Sequence, residues 1–104
     1  MKSNASSIPE PHPGEILLAE FIEPAGVTPY RVAKDAGISQ PTMNQLVNGK
    51  RSISTETALR LATYFGTSPE LWINLQNQFD LRKADSELLP RIQSEVKPLA
   101  LATN

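Results

Sequence analysis

Seven polar side chains fall in a short run of the chain: Gln40, Thr42, Asn44, Gln45, Asn48, Lys50 and Arg51. Their types suit recognition of flat, edge-on partners. An Asn or Gln amide sets a donor beside an acceptor, the pattern that matches adenine in the DNA major groove, and a Thr methyl packs on thymine. Lys and Arg suit phosphate oxygens, which fix position but carry no sequence information. The hydroxyls of Thr28 and Ser39 precede predicted helices, and a helix N-terminus also attracts phosphate.

To act together these groups need one helix held at a fixed angle. Thr28 followed by Pro29 predicts an N-cap and a first turn. Val32, Ala33 and Ala36 then face inward, and Gly37 stops that helix. Ser39 caps the next one. Pro41 falls in its first turn, where the missing N–H has no intrahelical partner anyway. Met43, Leu46 and Val47 form the inward stripe, and Gly49 ends the helix in a left-handed conformation. Two helices crossing steeply need a small residue at closest approach, here Ala33, and a turn tolerant of positive φ, here Gly37. Ile38, Met43 and Leu46 wedge the second helix against the first. This is a helix-turn-helix, whose second helix enters the major groove with its N-terminal part. Gln40 and Gln45 are assigned to base or phosphate contact. For Thr42 and Asn44, base contact and an ordinary solvated face both stand. Asn48, Lys50 and Arg51 follow the helix and are assigned to the DNA backbone. Arg31, Lys34 and Arg60 are read as solvated charges.

The flanking sequence supplies the rest of the core. A first helix is predicted from Pro13 to about Glu23, with Leu17, Leu18, Phe21 and Ile22 as its apolar stripe and His12 at its start. Ser54 caps a fourth helix that buries Ala58, Leu59, Leu61, Ala62 and Phe65. Ser68, Pro69 and Glu70 open a fifth, in which Leu71, Trp72, Leu75 and Phe79 recur at helical spacing; Trp72 is read as core. The pattern weakens past Lys83, and Asp85–Val96 holds one more short helix around Pro90. No strand pattern occurs. The expected fold is all-α: a five- to six-helix domain over residues 12–83, preceded by a flexible arm (1–11) and followed by a C-terminal helix and tail (84–104). Leu71, Ile73 and Leu75 cannot all face one small core, so part of the fifth helix is expected to meet a second copy of the chain.

The 104 residues suit one domain. There are no cysteines and one histidine, which excludes disulfides and disfavours a structural zinc site. No nucleophile–base pair, metal cluster or phosphate-cradling loop is present, so neither enzymatic activity nor a cofactor is expected. No apolar run is long enough for a membrane span, and the N-terminus lacks the apolar centre of a signal peptide, which together point to the cytoplasm. The net charge of −1 is unusual for a nucleic-acid binder, but its distribution is uneven. Glu10, Glu15, Glu20 and Glu23 make residues 10–26 acidic, with no Lys or Arg among them. Residues 29–66 carry five cations against two acids. Two surfaces of opposite sign suggest two different partners.

The stretches "HPGEILLAEFIEPAG", "RVAKDAGISQPTMNQLVNGKRSIS" and "TETALRLATYFGTSPELWINLQNQFDL" resemble the HigA-type antitoxins, a branch of the lambda-repressor-like (XRE/Cro) DNA-binding proteins. The resemblance covers roughly residues 12–82. It implies a lambda-repressor-like domain that binds a palindromic operator as a homodimer and represses its own operon. It also implies binding to a HigB-type toxin, a ribonuclease that cleaves mRNA, which it neutralises. The acidic set Glu10, Glu15, Glu20 and Glu23 is matched to that toxin, because a protein that holds RNA is expected to be basic; the alternative is that these residues serve only the helix start and solubility. Pro29 and Pro41 depart from the wider repressor pattern, so the operator preference cannot be copied from another member. The competing function is a plain XRE/Cro-type repressor with no toxin partner.

Overall fold

The computed structural model describes residues 10–100, and most of the expected arm (residues 1–9) and the last residues of the tail lie outside that range. Among the described residues there are only helices. Helix α1 begins as an α-helix at Pro13–Ile16 and widens into a π-helix at Leu17–Ile22; α2 is Pro29–Ala36, α3 Gln40–Val47, α4 Thr55–Phe65, α5 Pro69–Glu87 and α6 Leu89–Glu95.

The helix starts are chemically explicit. The hydroxyls of Thr28, Ser39, Ser54 and Ser68 accept the backbone N–H groups of Arg31, Thr42, Thr57 and Leu71. Helices α2, α3 and α5 also carry proline in their first turn. At α1 the cap is His12: its Nδ1 accepts the Gly14 N–H at 2.9 Å, and Glu15 reaches back to the His12 N–H at 3.3 Å. This reciprocal box satisfies two donors that a helix start otherwise leaves free.

The widened turn in α1 has a packing consequence. Leu17 and Ile22 are both fully buried. Five residues of α-helix would set them roughly 140° apart, whereas the longer i→i−5 turn brings both toward the core side. Phe21 lies beside them and meets Trp72 at a ring distance of 4.6 Å and Phe65 at 5.6 Å. Trp72 is fully buried in the core, as expected, and its indole N–H donates to the Thr67 hydroxyl at 2.8 Å.

Two expectations change. Leu59 is 50% exposed and not part of the buried face of α4, because Ala58, Leu61 and Ala62 already occupy the inward arc and Leu59 falls outside it. The fifth helix does not fade at Lys83 but continues to Glu87. Pro90 then sits in the first turn of α6, where a proline is tolerated.

Candidate nucleic-acid interface

The interface is set by how α2 holds α3. Ala33 and Val32 are fully buried, and Met43, Leu46 and Ile38 fill the space between the helices. Gly37 turns the chain with φ +74°, and the Ile38 N–H donates to the Ala33 carbonyl at 2.9 Å. That positive φ is what calls for glycine; a Cβ there would also stand 2.6 Å from an Arg60 Nη1, but a flexible side-chain end can move aside.

With Met43 and Leu46 turned inward, α3 presents Gln40, Asn44 and Gln45 to solvent, and Thr42 is half-buried. Gln40 and Gln45, assigned to base or phosphate contact, and Asn44, left open, therefore lie on the exposed side of α3, with Thr42, also left open, at its margin. Several are already restrained. Gln40 Nε2 donates to the Tyr30 carbonyl at 3.1 Å, which ties the start of α3 to α2. The Ser39 hydroxyl accepts the Thr42 N–H at 3.2 Å and donates to the Thr42 hydroxyl at 2.8 Å. Asn48 Nδ2 donates to the Asn44 carbonyl at 2.8 Å and to Asn44 Oδ1 at 3.2 Å. The Thr28 hydroxyl accepts the Arg31 N–H at 3.1 Å and lies exposed at the start of α2.

The loop after α3 is held at both ends. At its start the Gly49 N–H donates to the Leu46 carbonyl and the Lys50 N–H to the Gln45 carbonyl, a Schellman closure with Gly49 at φ +72°. At its end Ile53 is buried, and its N–H donates to Oε1 of the buried Gln76 at 2.8 Å. Gln76 Nε2 in turn donates to Asp80 Oδ1 at 2.9 Å and the Ser52 hydroxyl at 3.4 Å. Sequence reading missed Gln76. Its one available signal was a polar residue on the apolar side of the α5 stripe. Within this loop Arg51 folds back, and its Nε donates to Gln45 Oε1 at 2.7 Å.

The cations divide into two groups. Arg31 pairs with Asp35 at 2.7 Å within α2, and Arg60 pairs with Glu56 at 3.0 Å within α4 while its Nη1 donates to the Ala36 carbonyl of α2 at 3.2 Å, so both are committed. The Arg31 hydrogen bond holds the Asp35 carboxyl below its ordinary range and raises the guanidinium. Among the described residues Lys34 and Lys50 make no side-chain hydrogen bond or ion pair, and Arg51 keeps its terminal nitrogens unengaged. The free positive charge of the helix-turn-helix is thus concentrated in these three side chains.

The acidic segment differs from its sequence reading. Glu10 has a counter-charge after all, since it pairs with Arg82 on α5. Glu15 is taken up by the His12 cap. Glu20 and Glu23 are exposed and, among the described residues, unpaired. A shallow groove of about 650 Å³ lies between α2 and α4, lined by Asp35, Glu56, Leu59, Arg60 and Tyr64 among others. No helix is long and apolar enough to cross a membrane among the described residues.

Comparison with known proteins agrees with this geometry. A family model described as "Helix-turn-helix" matches residues 18–72. The chain is 38% identical over 82 residues to virulence-associated protein I of Dichelobacter nodosus, covering 79% of this chain and 76% of that protein. It is 38% identical over 68 residues to antitoxin HigA-1 of Vibrio cholerae, covering 65% and 64%. The solved structure of the Pseudomonas aeruginosa antitoxin HigA with the higBA promoter superposes with a TM-score of 0.83 at 39% identity, covering 89% of this chain and all of that one.

Proposed function

We infer the function from family membership: this chain belongs to the HigA-like helix-turn-helix DNA-binding proteins. We propose that it binds a palindromic operator as a homodimer, represses its own operon, and binds and neutralises a HigB-type toxin.

The observation that carries the DNA half is the exposed polar edge of α3 on a rigid support. Gln40, Thr42, Asn44 and Gln45 meet base edges, while Thr28, Ser39, Asn48, Lys50 and Arg51 flank them toward phosphate. The dimer half is supported by an apolar stripe that the monomer leaves open. Leu81 on α5, Leu88 at the α5–α6 junction, Ile92 on α6 and Val96 just after it are all exposed. The toxin half is supported by likeness to antitoxin HigA proteins and by the acidic surface. Of that surface, Glu20 and Glu23 are the carboxylates still free to meet a basic partner.

The test is a mobility shift of the protein on its own promoter and on a scrambled duplex, beside a pull-down with the product of the adjacent gene. Preferential retention of the promoter and co-purification of a ribonuclease are expected. Equal retention of both duplexes would defeat the repressor reading. Promoter preference without a co-purifying partner would leave the plain repressor as the function.

A further inference from the structure

We propose that Arg51, in place of the phosphate role it shares with Lys50 in the reading above, is a specificity-determining residue: it orients the Gln45 amide and turns the reading edge of α3 toward guanine. This rests on the reading of α3 as the operator-reading helix.

The bond itself is the first observation. Arg51 Nε donates to Gln45 Oε1 at 2.7 Å, within the range of short, charge-assisted hydrogen bonds. A carboxamide is planar, so fixing its oxygen also fixes where its nitrogen points. The second observation is that Arg51 is delivered to that bond by the backbone. The Schellman closure returns Lys50 to the Gln45 carbonyl, and the buried Gln76–Ile53 bond pins the loop two residues beyond Arg51. The Arg51–Gln45 contact is therefore not two free side chains meeting in solvent. Lys50, next in sequence, has no such bond among the described residues.

The chemistry follows from what remains free. A free glutamine matches adenine by donating to N7 and accepting from the N6 amine. Here Arg51 takes one of the two lone pairs of that acceptor, and its cationic guanidinium stands beside it with unspent N–H groups, so an adenine amine approaching the second lone pair meets a competing donor. The combined edge offers donors from Gln45 Nε2 and from Arg51. Guanine presents two adjacent acceptors, N7 and O6, in the major groove. The pair thus favours guanine and disfavours adenine, whose amine would face donors. With Arg51 removed, both lone pairs of the amide oxygen are open and the competing donor is gone, so adenine gains.

Lys50→Met and Arg51→Met remove one positive charge each, so they lose the same electrostatic contribution if both groups serve only phosphates. Affinities are measured for wild type, both Met variants and Gln45→Ala on promoter duplexes carrying each base pair at every half-site position. Gln45→Ala is expected to flatten the preference at one base pair. Arg51→Met should shift that same base pair from guanine toward adenine by roughly tenfold, the scale of one bidentate contact. Lys50→Met should weaken every duplex by a common factor. If Arg51→Met also weakens every duplex by a common factor, or alters a position that Gln45→Ala leaves untouched, the proposal is overturned and the operator-reading role of α3 stands. A wild type with no preference among duplexes overturns both.

Discussion

Gly14 and Leu46 meet backbone to backbone: a Cβ on Gly14 would stand 1.6 Å from the Leu46 carbonyl oxygen and 2.5 Å from its carbon. The first turn of α1 thus rests directly on the last turn of α3. Neither side of this contact is a flexible side-chain tip, so nothing can yield without moving a helix. Gly14→Ala should destabilise the fold by at least about 2 kcal/mol, in the upper range for overpacking. For a chain of this length that lowers the melting temperature by roughly 8 °C or more. A calorimetric melt unchanged by the substitution would show that α1 and α3 are not pressed together.

Gln76 is the second place where one substitution should reach far. Replacing it with Ala removes the acceptor of the buried Ile53 N–H and opens a small void beside Asp80. An unsatisfied buried donor alone costs about 1–3 kcal/mol. Gln76→Ala should therefore melt earlier, and amide exchange should quicken across residues 50–53, since their far anchor is gone. Exchange in that loop equal to wild type would contradict the double-anchor description.

Stability should also fall on mild acidification, through His12. Its Nδ1 must be unprotonated to accept the Gly14 N–H, and burial, chiefly, holds its pKa below the ordinary 6.5. Glu15 and Asp80 act in the opposite direction, and Lys83 adds to the lowering. Because the unfolded chain binds the proton more readily, stability rises with pH in this window. The contribution is complete above pH 6.5 and is lost as pH falls through the depressed folded value. His12→Asn keeps a capping acceptor but cannot titrate. Denaturant midpoints taken from pH 7 to 5 should decline in the wild type and decline less in this variant; parallel curves would assign the acid sensitivity elsewhere.

The stripe on α5 and α6 yields a test of assembly. Ile92 is 41% exposed, and Leu88 and Val96 flank it one turn away on each side. Ile92→Asp should halve the mass seen by light scattering at micromolar concentration while leaving the helical signal nearly intact, because α6 buries nothing in the monomer. Operator affinity should fall with it, since two half-sites one helical turn apart need two recognition helices. A wild type that is already monomeric at that concentration would count against the dimer.

The helix-turn-helix was legible because its signals are local. Ala33, Gly37, Ile38, Met43 and Leu46 each carry their meaning within one or two turns, and each occupies the role its type predicts. Contacts between distant segments were not legible. Glu10 finds Arg82 across 72 residues, Gln76 finds Ile53 across 23, and Gly14 meets Leu46 only after the core has closed. Leu59 misled for a different reason: periodicity marks an apolar arc but not where the arc ends, and a leucine at its margin reads as core. The widened turn of α1 has no composition signature, since it answers the packing of Leu17 and Ile22 together.

The lone tryptophan gives the molecule a built-in optical gauge. Its indole is wholly screened from solvent and leans on Phe21 of α1. Emission from the native chain is therefore that of a chromophore sealed from aqueous quenchers such as iodide, which can collide with it only once α1 and α5 separate. The same ring lies in the core and not on the exposed edge of α3. A fluorescence change on adding duplex would accordingly report rearrangement inside the bundle, whereas an unaltered spectrum would mark docking of a preformed surface.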